Sequence, residues 1–174
     1  MQRRKLLQLG LGALAGVGIS AGLGVPLAWA DETAARDART LTMHNLHTGE
    51  KLEALYWDKG AYVPDALEAV NKLMRDHVTG ALHPIDQKLL DLLVTLHART
   101  EARACYELLS GYRAPATNAA MHRKSRQVAP HSLHIEGMAA DVRIGGQPLG
   151  HLQKAALALR GGGEITGIDF VPRF

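Results

Sequence analysis

Hydrophobic and polar residues follow two periodicities along this chain, and each periodicity predicts a different kind of secondary-structure element. The stretches Leu41–Asn45 and Lys51–Trp57 alternate as strands do, and a Thr-Gly turn signal lies between them, which predicts a β-hairpin. Apolar residues then recur at helical spacing in two stretches. The first predicted helix begins at Pro64 and ends at His77, and the second begins at Pro84.

The second half of the chain adds shorter elements to this pattern. It predicts strands at Tyr106–Leu109 and Ala140–Ile144, helices at Ala116–His122 and Leu149–Arg160, and a last strand over Glu164–Val171. There are no internal repeats, and 174 residues are the length of one domain. The predicted fold class is therefore α+β, with a small antiparallel sheet flanked by helices in a single domain.

The N-terminal segment does not belong to that domain. Arg3-Arg4-Lys5 precedes a Gly-rich apolar run, which ends in the cleavage signature Ala28-Trp29-Ala30. The arginine pair and the glycines favour the twin-arginine (Tat) export route. We therefore predict an export signal over residues 1–30 and a mature domain over residues 31–174, with the Tat export machinery as a partner and the periplasm or exported cell envelope as the location. An uncleaved membrane anchor is the alternative, because the run is long enough to cross a bilayer.

The charge balance argues against one class of partner. The chain has 20 basic and 17 acidic residues, a net charge of +3. Three of the basic residues and none of the acidic ones lie in residues 1–30, so the remainder has 17 of each and no net charge. A nucleic-acid partner requires a basic face, which this balance does not support. We predict no nucleic-acid partner, and contact with a membrane only through the signal segment.

One stretch, Ser132–Asp141, carries the candidate chemistry and has the sequence SLHIEGMAAD. His134 and Asp141 are seven residues apart, and Gly137 between them lets the backbone turn sharply. With a turn there, an imidazole and a carboxylate can converge on one ion, and both groups are zinc ligands. A catalytic zinc usually takes three protein ligands and a water, so this pair alone is incomplete. The alternative is a loop histidine and a strand-edge aspartate that hold no ion.

The same stretch resembles a known signature. Its pattern S-x-H-x-x-G-x-A-x-D is similar to that of the M15-type zinc peptidases, the D-Ala-D-Ala metallopeptidase family. The segments Ser110–Ala120 (SGYRAPATNAA), Asn45–Glu50 (NLHTGE) and His83–Leu93 (HPIDQKLLDLL) extend the resemblance over nearly all of the chain after the signal. The chain is most similar to the murein endopeptidase K branch, many members of which carry twin-arginine signals.

The resemblance implies a function and a role for individual residues. It implies that His134 and Asp141 bind Zn²⁺. It places Arg113 near the substrate, where a guanidinium can hold a carboxylate or a developing oxyanion, although an ion pair that pins the loop is the other interpretation. It implies that Ser132 contacts the substrate or orients His134. The implied activity is that of a zinc-dependent peptidase that cleaves peptidoglycan peptide cross-links in cell-wall remodelling.

The C-terminal sequence departs from the family pattern. In the family, a last strand of the type F-V-H-V-D supplies the third zinc ligand, but here no histidine follows His151. Either Pro172 stands at the ligand position, or Gly167–Arg173 matches the segment before that strand and the ligand strand is missing. We favour the second alignment, because it pairs a Pro-Arg dipeptide with the same dipeptide in the family, and it predicts a C-terminally incomplete domain.

A missing ligand leaves two questions for the structure. His122 and His131 lie in the same loop region as the motif and are candidates to replace the ligand, and Glu136 is a candidate general base. The second question concerns activity. The alternative to a peptidase is a truncated or degenerate homologue that binds peptidoglycan without cleaving it, or is inactive.

Overall fold

The computed structural model describes residues 37–125 and 127–159 of the chain. Its elements are β1 (Arg39–Asn45), β2 (Lys51–Asp58), β3 (Ala61–Tyr62), α1 (Pro64–Leu73), α2 (Gln87–Arg99), β4 (Tyr106–Ser110), α3 (Pro115–Lys124), a 3₁₀ turn (Leu133–Glu136), β5 (Asp141–Ile144) and α4 (Leu149–Ala158). The predicted signal and the predicted last strand lie outside the described residues. Among the helices of the described ranges, none has the length and apolar character needed to cross a membrane.

The strands form one mixed sheet in the order β3-β2-β1-β4-β5. Three neighbouring pairs are antiparallel, as predicted, whereas β1 and β4 are parallel. Parallel neighbours need a long crossover connection. Here the chain passes through α1 and α2 before it enters the sheet again beside β1. The α+β prediction is confirmed, with one parallel pairing that the alternation of residues along a strand cannot reveal.

The predicted hairpin of β1 and β2 is present, and its turn is held by its own side chains. The Asn45 N–H donates to the Glu50 carbonyl at 2.9 Å. The Asn45 side-chain oxygen accepts the N–H groups of His47 and Thr48 at 2.9 and 3.2 Å. Gly49 has a φ of 72°, in the left-handed region that glycine adopts without steric cost.

The core lies on one face of the sheet, under α1, α2 and α4. In β1, Leu41 and Met43 are buried while Thr40 and Thr42, which precede them, are exposed, and this is the predicted alternation. The largest fully buried side chains are Tyr56, Tyr106, Leu41, Met43, Met74, Leu90, Leu93, Leu96, Leu108, Leu152, His134 and Val70. His134 is the one basic side chain in that set, so this candidate ligand is buried together with the core residues.

The first helix ends before the predicted His77. Its last residue is Leu73: the Met74 N–H still donates to the Val70 carbonyl, but the backbone groups that follow have partners outside the helix. The Met74 carbonyl accepts the Tyr112 N–H at 2.7 Å, and the Asp76 N–H donates to the Ala81 carbonyl within the turn that follows the helix. The spacing of hydrophobic residues carries no information on these hydrogen-bond partners, so it could not predict where the helix ends.

The second helix begins after the predicted Pro84. It starts at Gln87, and the Asp86 side chain caps it by accepting the Lys88 N–H at 2.7 Å. The Asp86 N–H donates to the Gly137 carbonyl at 3.0 Å. The residues before α2 are therefore bonded to the motif stretch and are not free to extend the helix.

Candidate metal centre

The stretch that carries the motif folds as a tight turn. Leu133–Glu136 form the 3₁₀ turn. Ser132 is its N-cap residue, and the Ser132 hydroxyl accepts the His134 N–H at 3.4 Å. Gly137 ends the turn with a φ of 67°. A Cβ atom at Gly137 would collide with the Pro84 carbonyl oxygen. Both the conformation and the space at this bend therefore require glycine.

After this bend the chain brings His134 and Asp141 together at the start of β5. The Nε2 atom of His134 and the Oδ1 atom of Asp141 are 3.5 Å apart, and the His134 side chain is 1% exposed. The Nδ1 atom of His134 lies 2.7 Å from the Gly111 carbonyl oxygen. Because a carbonyl only accepts, Nδ1 carries a proton in this contact, and in the neutral ring Nε2 then keeps its lone pair.

Two acceptor atoms thus face each other in a buried position. Neither His134 Nε2 nor Asp141 Oδ1 has a hydrogen-bond partner among the described residues. A direct charge-assisted hydrogen bond between them would measure about 2.7–2.9 Å, which is shorter than the observed 3.5 Å. Two ligand atoms at about 2.1 Å from a tetrahedral zinc ion are about 3.4 Å apart. The observed separation fits a shared ion better than a shared proton.

Arg113 holds the other oxygen of the same carboxylate. Its Nη2 atom is 3.7 Å from Asp141 Oδ2, and its side chain is 10% exposed. Its guanidinium also donates to Asn118 Oδ1 at 3.2 Å and to Ser110 Oγ at 3.4 Å. The Arg113 N–H donates to the His134 carbonyl at 3.0 Å. Arg113 is therefore bound both to the backbone of one candidate ligand and to the side chain of the other.

Two residues of this arrangement were missed by sequence reasoning. Gly111 orients the imidazole of His134 through its carbonyl. Asn118 is 1% exposed, and its amide donates to two backbone carbonyls of the loop after α3 at 3.0 and 3.2 Å while its oxygen accepts from Arg113. Both lie in the segment SGYRAPATNAA. The resemblance of that segment marks it as part of the site but does not assign a role to either residue.

The predicted replacements for a third ligand do not join the pair. Within residues 37–125 and 127–159, no group of three or more His, Cys, Asp or Glu side chains is arranged to hold a metal ion. The Nδ1 atom of His122 lies 2.6 Å from the Val128 carbonyl instead, and His131 is exposed. Glu136, which is a candidate general base and not a candidate ligand, is exposed as well. Neither His122 nor His131 therefore joins His134 and Asp141, and residues 167–173, which the two alignments place at or directly before the family's ligand strand, lie outside the described residues.

Comparisons with known proteins agree with the resemblance. A peptidase M15 family model described as peptidoglycan L,D-endopeptidase MepK matches residues 33–173. The peptidoglycan L,D-endopeptidase MepK of Escherichia coli (strain K12) is 37% identical over 171 residues, which cover 98% of this chain and 88% of that protein. The probable peptidoglycan L,D-endopeptidase MepK of Haemophilus influenzae is 38% identical over 126 residues, which cover 72% of this chain and 68% of that protein. No solved structure matches the chain.

Proposed function

The chain belongs to the peptidoglycan L,D-endopeptidase MepK family of M15 peptidases, and from this premise we propose that it hydrolyses peptide cross-links of peptidoglycan with a bound zinc ion. One observation carries the proposal: His134 Nε2 and Asp141 Oδ1 are buried, 3.5 Å apart and without another partner in the described residues. Buried polar atoms are nearly always satisfied. A cation between these two atoms accounts for an arrangement that otherwise costs stability.

In this proposal each site residue has its own task. When bound at this pair, zinc would supply Lewis-acid chemistry, which polarises a peptide carbonyl and activates a water. His134 supplies Nε2, while the Gly111 carbonyl holds its ring in the required tautomer. Asp141 supplies Oδ1.

Arg113 and Ser132 support these ligands from two sides. Arg113 orients Asp141 through Oδ2, and its guanidinium is the group that holds a substrate carboxylate or a developing oxyanion. Ser132 caps the 3₁₀ turn and so fixes the backbone that carries His134. The ion-pair role and the substrate role weighed for Arg113 are therefore compatible.

A second candidate function follows from the ligand count. Residues 37–125 and 127–159 bring only two candidate ligands, His134 and Asp141, together. Loss of supporting groups around a metal already costs about 10–100-fold in affinity or activity, and loss of a ligand should cost at least as much. The second candidate is a homologue that binds peptidoglycan peptides without cleaving them.

We also propose where the protein acts. Residues 1–30 direct the chain through the Tat machinery to the periplasm, where peptidoglycan lies, and residues 31–174 form the mature domain. Replacement of both Arg3 and Arg4 by lysine should prevent export. Fractionation and the mass of the exported protein test this, with an N-terminus at Asp31 as the expected result.

The zinc content and the activity of one preparation separate the two candidate functions. Metal analysis and chromatography of cross-linked muropeptides are applied to the wild type, His134→Ala, Asp141→Ala and the control His131→Ala. One tightly held zinc with cleavage, both lost in the first two variants and kept in the control, supports the peptidase. Binding of muropeptides without cleavage supports the second candidate. Absence of zinc from a zinc-replete preparation contradicts the zinc-dependent proposal.

A further inference from the structure

A second buried carboxylate, Asp76, bonds to the segment that holds the candidate metal centre. Asp76 lies in the turn after α1 and is 1% exposed. Its Oδ1 atom accepts the N–H groups of Val78 at 2.7 Å and Thr79 at 3.0 Å within that turn. Its Oδ2 atom accepts the Ala114 N–H at 2.7 Å, across 38 residues of sequence. One carboxylate therefore joins the turn after α1 to the segment Gly111–Ala114.

The surroundings of Asp76 suit an ionised carboxylate. Burial alone would raise the pKa of Asp76. The nearby Thr117 hydroxyl and the N–H groups of Ala114, Thr79 and Val78 outweigh burial and hold the pKa below its ordinary value. The negative charge also lies at the start of α3, where the helix dipole favours it.

The same turn contacts the segment at two further points. The Tyr112 N–H donates to the Met74 carbonyl at 2.7 Å. Gly111 packs so closely on Met74 that a Cβ atom at Gly111 would collide with the Met74 carbonyl oxygen. Three of the four residues Gly111–Ala114 thus rest on the turn that Asp76 closes.

The remaining contacts of this segment face the candidate ligands. The Gly111 carbonyl lies 2.7 Å from His134 Nδ1, and the Arg113 N–H donates to the His134 carbonyl at 3.0 Å. The Arg113 guanidinium lies 3.7 Å from Asp141 Oδ2. A shift of the segment would therefore change the orientation of His134 and Asp141 together.

We propose that Asp76 is a positioning residue for the candidate metal centre: by holding the Ala114 N–H, it keeps the Gly111 carbonyl and Arg113 where they orient His134 and Asp141. The inference deepens the proposed function and rests on it for the role of zinc. The orientation of the His134 ring is a property of the metal-free chain, so that part can be tested separately.

Loss of the Asp76 carboxylate would act first on Ala114, whose N–H donates to it. Ala114 is 8% exposed and directly precedes α3, which begins at Pro115 and has no side-chain cap of its own. Without Asp76 the Ala114 N–H would be a buried donor without a partner. The segment would have to move to hydrate it, and it would carry the Gly111 carbonyl and Arg113 with it.

The test compares Asp76→Asn with Asp91→Asn in the full chain. An asparagine at position 76 keeps the shape but replaces one acceptor oxygen by an amide group, which cannot accept an N–H. Competition with a chelator measures the zinc dissociation constant, and ¹⁵N NMR of the metal-free chain measures which His134 nitrogen carries the proton. For Asp76→Asn we expect zinc affinity to fall about 10–100-fold and the Nδ1-protonated tautomer to lose its dominance.

Asp91 is a matched control because its carboxylate accepts from Arg39, Tyr56 and Tyr62, away from the candidate metal centre. Asp91→Asn should lower stability and leave both readouts unchanged. If Asp76→Asn also lowers stability but keeps wild-type zinc affinity and tautomer, Asp76 is only structural and the inference is wrong. If the wild type binds no zinc, the proposed function fails, and the tautomer comparison alone decides the role of Asp76.

Ala114→Pro provides a second variant if Asp76→Asn does not fold. Ala114 has a φ of -58°, which proline adopts, and proline removes the N–H while Asp76 and its turn remain. We expect the same loss of zinc affinity and the same mixture of tautomers. A folded Ala114→Pro chain with wild-type values for both would overturn the inference.

Discussion

The Asp91 cluster and the candidate metal centre each contain an aspartate, and they differ in how well its carboxylate is satisfied. The Asp91 cluster consists of Asp91, Arg39, Tyr56 and Tyr62. There both carboxylate oxygens accept hydrogen bonds, at 2.7 to 2.9 Å. In the candidate metal centre, Asp141 Oδ1 accepts none among the described residues and faces His134 Nε2 at 3.5 Å. The Asp141 side chain is 15% exposed and the Asp91 side chain is 31% exposed, so the carboxylate with the unmatched oxygen is also the more buried one.

The difference separates a cluster whose carboxylate is matched by donors from one that leaves two opposed acceptor atoms unmatched. A carboxylate matched by donors contributes to stability through its hydrogen bonds. Two opposed acceptors in a buried position cost stability unless a cation or a proton lies between them. Proteins tend to keep such local conflicts where function requires them. The contrast between Asp91 and Asp141 therefore predicts which substitutions affect stability and which affect activity.

The largest effect is expected from Asp141→Asn. Its amide can donate to His134 Nε2, so the substitution satisfies the opposed pair and removes a candidate ligand at once. Cleavage of cross-linked muropeptides should fall at least about 100-fold. Zinc should stabilise the wild type by about 2.7 kcal/mol at 100 times its dissociation constant, and the variant not at all. Urea unfolding with and without zinc measures the second effect, and zinc stabilisation that survives in Asp141→Asn would show that the ion binds elsewhere.

The next effect is expected from Asp91→Ala, and it should be confined to stability. The Tyr56 side chain is 0% exposed, so its hydroxyl would lose its acceptor in a buried position. We expect the free energy of unfolding to fall by about 2–3 kcal/mol. Arg39 adds little, because its side chain is 37% exposed. Urea unfolding measures the loss, and a parallel loss of zinc affinity per folded molecule would mean that the two clusters are coupled.

A smaller effect is expected from Gly137→Ala, which should act on both properties. Alanine in the left-handed region costs about 1–2 kcal/mol, and its Cβ would also push against the Pro84 carbonyl. Gly146→Ala is the matched control, since Gly146 has a φ of 78° with nothing near the position of the Cβ. Gly146→Ala should lower stability alone. Equal zinc affinity in the two variants would show that the contact with Pro84 does not position His134.

Local sequence patterns were sufficient to predict which helices and strands form, but not the residues at which the helices begin and end. The hairpin and the apolar stripes of α1 and α2 were predictable, because alternation and helical spacing reflect one buried face. The end of α1 before His77 and the start of α2 after Pro84 were not. Both depend on hydrogen bonds to Tyr112 and Gly137, which lie far away along the chain.

For the candidate metal centre, the motif was sufficient to select residues but not to show what holds them. His134, Asp141 and Arg113 were selected from the motif and the resemblance, and the structure brings them within hydrogen-bond or ion-pair range of one another. That they bind zinc and substrate stays a prediction. The supporting roles of Asp76 and Asn118 could not be read from the sequence, because their partners lie in other segments and follow no periodicity.

The smallest effect is expected from alkaline pH, and it concerns the Asp91 cluster. Burial, then the hydrogen bond to Asp91 and its negative charge, raise the pKa values of Tyr56 and Tyr62 above the ordinary 10.0. The folded chain therefore holds these protons more tightly than the unfolded chain. Their contribution to stability is complete below about pH 10 and is lost as the pH rises above it.

Burial also raises the pKa of Tyr106, outside the cluster, so the comparison must be made with Asp91→Asn, which leaves Tyr106 unchanged. Between about pH 9 and pH 11, the wild type should lose more stability than Asp91→Asn, by roughly 1 kcal/mol or less. Urea unfolding at both pH values measures this difference. If both chains lose the same stability, Asp91 does not set the proton affinity of its tyrosines, and the contrast with Asp141 would then rest on geometry alone.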